Sequence, residues 1–205
     1  MMAERQTTLR SPVTLQGIGV HSGAPACLTL RPSTANSGVV FLRKGLEGGH
    51  EQLIHARHNK VSATELCTVI GDQASGSVAT IEHLMSACAG LGLDNVLVEI
   101  DGPEMPIMDG SAAEFVSAIE ATGLVALGAT RRYLKVLRPV RIEQGRAFAE
   151  LAPSENGFRL DVEIDFDTKA IGRQRKIFDL DPEAYAREIS RARTFGFMRD
   201  VEQLW

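Results

Sequence analysis

A carboxylate and an imidazole stand side by side at Glu82-His83, inside the apolar stretch Thr80-Ile81-Glu82-His83-Leu84-Met85-Ser86-Ala87-Cys88. An ionised Glu can take a proton from water, and a neutral His can ligate a metal. Ile81, Leu84, Met85 and Cys88 fall at i, i+3, i+4 and i+7, the spacing of one apolar helix face. Thr80 is then the expected N-cap, which puts Glu82 and His83 in the first turn. The helix dipole at that end favours an anionic Glu82 and a neutral His83. Spacing alone leaves a second reading open, in which Glu82 only decorates the turn and His83 is a hydrogen-bonded core histidine.

The elements around this pair alternate between short strands and glycine turns. Residues 13–15, 26–30 and 39–42 are rich in strand formers and are separated by Gly17, Gly19, Gly23 and Asn36-Ser37-Gly38. A strand is expected at 67–70 and a nearly continuous apolar one, buried on both faces, at 95–100. The helix after Thr80 is expected to stop at Gly90 or Gly92. Ser111-Ala112-Ala113-Glu114 has the spacing of a capping box, opening a helix with Phe115 and Ile119 inward and Gly123 as its stop. Residues 123–132 read as a connection. Beyond it, strands are expected at 133–137, 140–143, 147–151 and 158–166. In the last of these, Phe158, Leu160, Val162, Ile164 and Phe166 alternate with charged residues, one face buried and one wet. Asp181-Pro182 is a cap followed by a first-turn proline, opening a helix with Tyr185 and Ile189 inward. Residues 198–205 start an amphipathic helix with Val201, Leu204 and Trp205 on its stripe.

With 44% apolar and 23% charged residues, the 205-residue chain can bury a core. A net charge of −4 without a Lys/Arg block points away from nucleic acid and from a polybasic membrane anchor. No apolar run reaches the roughly 20 residues of a spanning helix. The first residues lack the apolar core of a signal peptide. Cys27, Cys67 and Cys88 are three in number and far apart, as expected for reduced thiols in a cytoplasmic protein.

Five segments in order, GIGVHSG (17–23), ELCT (65–68), TIEHLMSA (80–87), LDNVLVEIDGPEMPIMDGSAAEFV (93–116) and SRARTFGFMRDVE (190–202), resemble the zinc-dependent UDP-3-O-acyl-N-acetylglucosamine deacetylases of lipid A biosynthesis. The resemblance implies an α+β fold of two similar sheet-plus-helices sandwich domains, here residues 1–128 and 129–205. The second is expected to be incomplete, lacking the family's C-terminal third. It implies hydrolysis of the N-acetyl group of a UDP-linked acylated amino sugar, giving acetate and a free amine. Glu82 takes the role of general base and Thr194 that of a hydroxyl holding the oxyanion. His21 is implied near the sugar or phosphate, Leu66 and Cys67 at the mouth of the site. Phe166, Phe195, Met198 and Val201, together with Ile171, are implied to line an apolar channel for the acyl chain. Read without the family, Thr194 is an ordinary strand threonine, His21 an exposed turn histidine, Cys67 a small buried hydrophobe and the aromatic residues core packing. Asp109-Gly110-Ser111 reads as a structural turn and cap.

The resemblance makes His83 one zinc ligand and places two more in an H-x-x-x-D pair. No His of this chain has Asp four residues on, and no His follows His83. His21, His50, His55, His58 and Cys67 are the remaining candidates, and nothing in their spacing selects them. A catalytically incomplete or purely substrate-binding chain is the alternative to an active hydrolase.

Overall fold

The structure, a computed structural model, describes residues 4–72 and 74–197 of an α+β chain. Strands β1 (Arg5–Leu9), β2 (Val13–Ile18), β3 (Pro25–Pro32), β4 (Val39–Arg43) and β5 (Gln52–His55) come first. Next are β6 (Val61–Ala63), β7 (Val69–Asp72), β8 (Gly76–Val78), helix α1 (Glu82–Leu91), β9 (Val96–Ile100) and helix α2 (Ala113–Thr122). Five of the strands form one sheet in the order β2-β3-β9-β4-β5, antiparallel except where β4 runs parallel to β9. Strand alternation sends Leu28, Leu30, Phe41, Val96, Val98 and Ile100 to one face, where all are buried. The other face is mixed, with Val40 buried, Leu42 and Leu97 half-buried and polar side chains between them. Thr14 and Thr29 share a hydroxyl hydrogen bond of 2.9 Å, and Glu99 sits between Arg31 at 2.7 Å and Lys44 at 2.8 Å. The expectation that residues 95–100 are buried on both faces is therefore corrected. A carboxylate in mid-strand needs partners and water, which only a solvated face supplies.

The helices close the apolar face. Leu84, Ala87, Cys88 and Leu91 of α1 and Phe115, Val116 and Ile119 of α2 join the sheet residues in one core. α1 ends on Gly92 at φ 70°, whose N–H bonds the Ala89 and Cys88 carbonyls. Its start differs from expectation. Ile81 occupies the cap position without a side-chain bond, and Thr80 has turned away at φ 58°. The expected capping box of α2 does not form either. The Ser111 hydroxyl accepts from the Ala113 N–H at 3.1 Å and donates to Asp109 at 2.6 Å, leaving Glu114 exposed. Residues 123–132 contain a strand, β10 (Leu124–Thr130), which pairs antiparallel with β1. The expected strand at 67–70 is shifted to β7, which pairs with β6 and β8.

Two further hairpins follow, β11 (Val140–Gln144) with β12 (Ala147–Leu151) and β13 (Arg159–Asp165) with β14 (Arg173–Asp179). No strand forms at 133–137, where Leu134 and Leu137 are more than 80% exposed. The 158–166 alternation does make a strand, and its charged face carries Arg159–Asp179, Arg175–Asp161 and Arg173–Glu163 pairs. Its apolar face is not buried among the described residues, since Phe158, Val162 and Ile164 remain exposed. Alternation fixes which residues share a face, not what covers it. Asp181 caps the short helix α3 (Pro182–Ala184) by accepting from the Ala184 N–H, and a π-turn over Tyr185–Ile189 continues it. This turn packs back on α1, with Tyr185 buried over Gly90 and its hydroxyl 2.7 Å from that of Ser86. Among the described residues no helix is long and apolar enough to cross a membrane.

Candidate active site

One loop, residues 101–112, assembles the neighbourhood of Glu82 by main-chain bonds. The Ala79 N–H donates to the Pro103 carbonyl at 2.9 Å and the Met105 N–H to the Ala79 carbonyl at 3.0 Å, which fixes the approach to α1. The Ile107 N–H donates to Ile18 at 3.0 Å, tying the loop to the end of β2 and the His21 turn. At its far end, Gly110 accepts from the Thr194 N–H at 2.8 Å, and the Ala112 N–H donates to Ser190 at 2.9 Å. Asp109 holds the turn through the Ser111 amide and hydroxyl and faces Arg193 at 3.8 Å, so its structural reading stands. Gly110 has φ 84°, a left-handed conformation that suits glycine.

Glu82 opens α1, and its carboxylate accepts the Thr68 N–H at 3.0 Å. This bond fixes the direction of the carboxylate. The His83 side chain follows half-buried, and its imidazole has no hydrogen-bond partner among the described residues. Cys67, next to Thr68, is partly buried. Burial pushes its thiol up, nearby Glu82 and Glu104 add to this, and the Thr80 backbone and hydroxyl oppose it. A thiol pushed up in this way is a poor nucleophile. Leu66 stands beside it at φ 58° with its side chain mostly exposed.

The residue that joins these parts is Glu104, to which spacing gave no pointer. It is 3% exposed. One carboxylate oxygen accepts the His21 N–H at 3.0 Å and the Thr80 hydroxyl at 2.9 Å, and the other accepts the Ser22 N–H at 2.8 Å. Burial pushes this carboxyl up, but the Ser22, His21 and Thr80 hydrogen bonds outweigh it and hold it below the usual glutamate range. His21 is thus anchored at its backbone, half-buried, next to the start of α1.

Thr194 is exposed and bonded through its N–H to Gly110. No hydrogen bond joins it to Glu82 or His83 among the described residues. Phe166 and Phe195 stack edge to face at 5.3 Å, and Phe197 completes a three-ring cluster at 5.9 and 5.8 Å. Ile171 is partly buried in the loop after β13, while Met198 and Val201 lie outside the described residues. His50, His55 and His58 are exposed, and among the described residues no group of three or more His, Cys, Asp and Glu is placed to hold a metal ion. A catalytic zinc needs about three protein ligands. The described residues do not fit such a centre on their own.

The chain is thus α+β, with a glutamate–histidine pair at a helix start and the buried Glu104 carboxylate bonded beside it. Residues 6–205 match the family described as UDP-3-O-acyl N-acetylglycosamine deacetylase, and the chain belongs to that family. It is similar to proteins named UDP-3-O-acyl-N-acetylglucosamine deacetylase from Brucella ovis, Brucella canis and Brucella abortus. Each is 44% identical over 200 residues, covering 98% of this chain and 68% of the relative.

Proposed function

We propose that the chain acts in deacetylating UDP-3-O-acyl-N-acetylglucosamine, a committed step of lipid A biosynthesis, and that Glu82 is the general base. The observation that carries this reading is the Glu82 carboxylate at the first residue of α1, oriented by the Thr68 N–H in a chain of the deacetylase family. In the reaction, Glu82 takes a proton from water as the water oxygen attacks the acetamide carbonyl carbon. The tetrahedral oxyanion collapses, the carbon–nitrogen bond breaks, and a proton passes to the departing nitrogen. Acetate and the free glucosamine amine result.

Thr194, held by Gly110, is read as the hydroxyl that meets the oxyanion in the substrate complex. His21, Leu66 and Cys67 border the sugar side. Phe166, Phe195, Met198 and Val201 receive the acyl chain, a role favoured by the contact of Phe166 and Phe195. His83 is read as one ligand of the family's zinc. The other donors are not among the described residues, so no chemical step is derived through the metal. The reading includes a division into a sheet-and-helix unit over residues 1–128 and a second unit over 129–205 of similar plan. It also includes a cytoplasmic setting, consistent with the free thiols Cys27, Cys67 and Cys88.

The test is product analysis after incubating the chain with UDP-3-O-acyl-N-acetylglucosamine and zinc. Acetate and free amine in equal amounts, with the UDP and the acyl ester intact, are expected. Loss of the acyl group or cleavage of the diphosphate would overturn the reading. Among the described residues no three-donor group forms, which favours a second reading, in which these residues bind the UDP-sugar without turning it over. Saturable binding with no acetate released would select it.

A further inference from the structure

We propose that Glu104 is a positioning residue for the Glu82–His83 pair, acting through Thr80; this rests on the reading of Glu82 as general base. Thr80 is a β-branched residue at φ 58°, a backbone region such residues rarely adopt, and it lies two residues before Glu82. No regular helical cap holds it. Main-chain bonds pin its neighbours Ala79 and Ile81, and the side-chain restraint on Thr80 is its hydroxyl bond to the Glu104 carboxylate at 2.9 Å, beside the Cys67 thiol, with Thr80 and Glu104 both 3% exposed. The same carboxylate fixes the amides of His21 and Ser22. The main chains of Ala79 and Met105 run alongside, so the restraint is short and direct.

Space around the carboxylate is also closed. A Cβ on Gly19 would overlap Glu104 and the Ser22 hydroxyl, so only glycine lets the His21 turn come this near. Three donors converge on two oxygens. A glutamine at 104 keeps one acceptor oxygen and turns an NH2 toward a donor, so at least one of the three bonds is lost. The consequence falls on the direction in which α1 begins, and hence on where the Glu82 oxygens and the His83 ring stand. Small misplacements of a reacting group cost rate far more than binding.

The test compares Glu104→Gln, Thr80→Val, the double variant and Thr80→Ser in the full chain, with acetate release from UDP-3-O-acyl-N-acetylglucosamine as the assay. Glu104→Gln and Thr80→Val are each expected to lower kcat about tenfold or more while KM stays within about twofold. The double variant is expected to be no worse than the poorer single one, because both remove the same restraint. Thr80→Ser, which keeps the hydroxyl, restores kcat. Unchanged kcat in a folded Glu104→Gln chain, additive losses, or a silent Thr80→Val would overturn the proposal. Should Glu104→Gln fail to fold, the Thr80→Val and Thr80→Ser pair decides it alone. Absence of turnover in the parent chain counts against the hydrolase reading, not this one. The amide resonances of Glu82 and His83 then decide, displaced by both Glu104→Gln and Thr80→Val as expected, or unmoved by them, which overturns it.

Discussion

The main-chain N–H of Thr68 donates to the Glu82 carboxylate at 3.0 Å, across the gap between the strand β7 approach and the first residue of α1. A backbone donor cannot swing away as a side chain can, so the Glu82 carboxylate is held by the fold itself. That bond joins the ELCT segment to the Glu82–His83 helix, two motifs that sequence order separates.

Glu104 makes stability depend on pH in a definite direction. Its carboxyl is held below the unfolded value of about 4.3, so its contribution is fully present above that value. As pH falls through the depressed folded value, the carboxylate is protonated and the contribution is lost. Urea midpoints of the parent chain and Glu104→Gln should therefore differ most near neutral pH and converge in acid. A constant difference across this range would contradict the assignment.

The contact of Tyr185 with Gly90 fastens residues 180–190 to α1. A Cβ at position 90 would run into the Tyr185 ring, so Gly90→Ala should force the π-turn off the helix despite improving helix propensity. A loss of about 1–3 kcal/mol in unfolding free energy is expected from such overpacking. Equal or greater stability in urea titration would show that the turn does not pack there.

Cys88 lies inside the core, and burial pushes its thiol up to about 12. It should resist alkylation at neutral pH until the chain unfolds, whereas Cys27, half-exposed on β3, is modified in the native state. Peptide mass analysis after a short iodoacetamide pulse checks the order. Simultaneous labelling of Cys27 and Cys88 would mean the α1 core opens readily.

Much of the first sheet was legible because residues 26–30 and 39–42 are rich in strand formers between glycine turns, and the spacing of Leu84 and Cys88 marks one helix face. The start of α1 was misjudged for a physical reason. Thr80 looks like a cap locally, but a buried carboxylate 24 residues away takes its hydroxyl. Glu104 itself was invisible, since its donors include the backbone N–H groups of His21 and Ser22, which no residue pattern displays. The reading of 95–100 as doubly buried gave too little weight to Glu99. Residues 133–137 and the apolar side of β13 show the converse limit, since hydrophobic residues reveal a tendency to be covered without naming the cover. The Thr194 and Phe195 roles came from family resemblance, and the geometry adds the Gly110 bond and the ring cluster.

Uneven burial predicts uneven protection. Residues 133–179 carry the exposed Leu134, Leu137, Ile142, Phe148 and Val162, whereas residues 5–130 hold the sheet core. Brief chymotrypsin treatment should cut within 133–179 first and leave a protected N-terminal fragment. Early cleavage within residues 80–120 would contradict this ranking of local stability.

The most direct measurement is single-turnover acetate release from UDP-3-O-acyl-N-acetylglucosamine by the parent chain and by Glu82→Gln, with zinc present and substrate binding measured on the same samples. Loss of the general base should slow release about 10²- to 10⁴-fold while the dissociation constant and the circular dichroism spectrum stay unchanged. Equal release by Glu82→Gln and the parent would remove Glu82 from the reaction and with it the central role given to the start of α1.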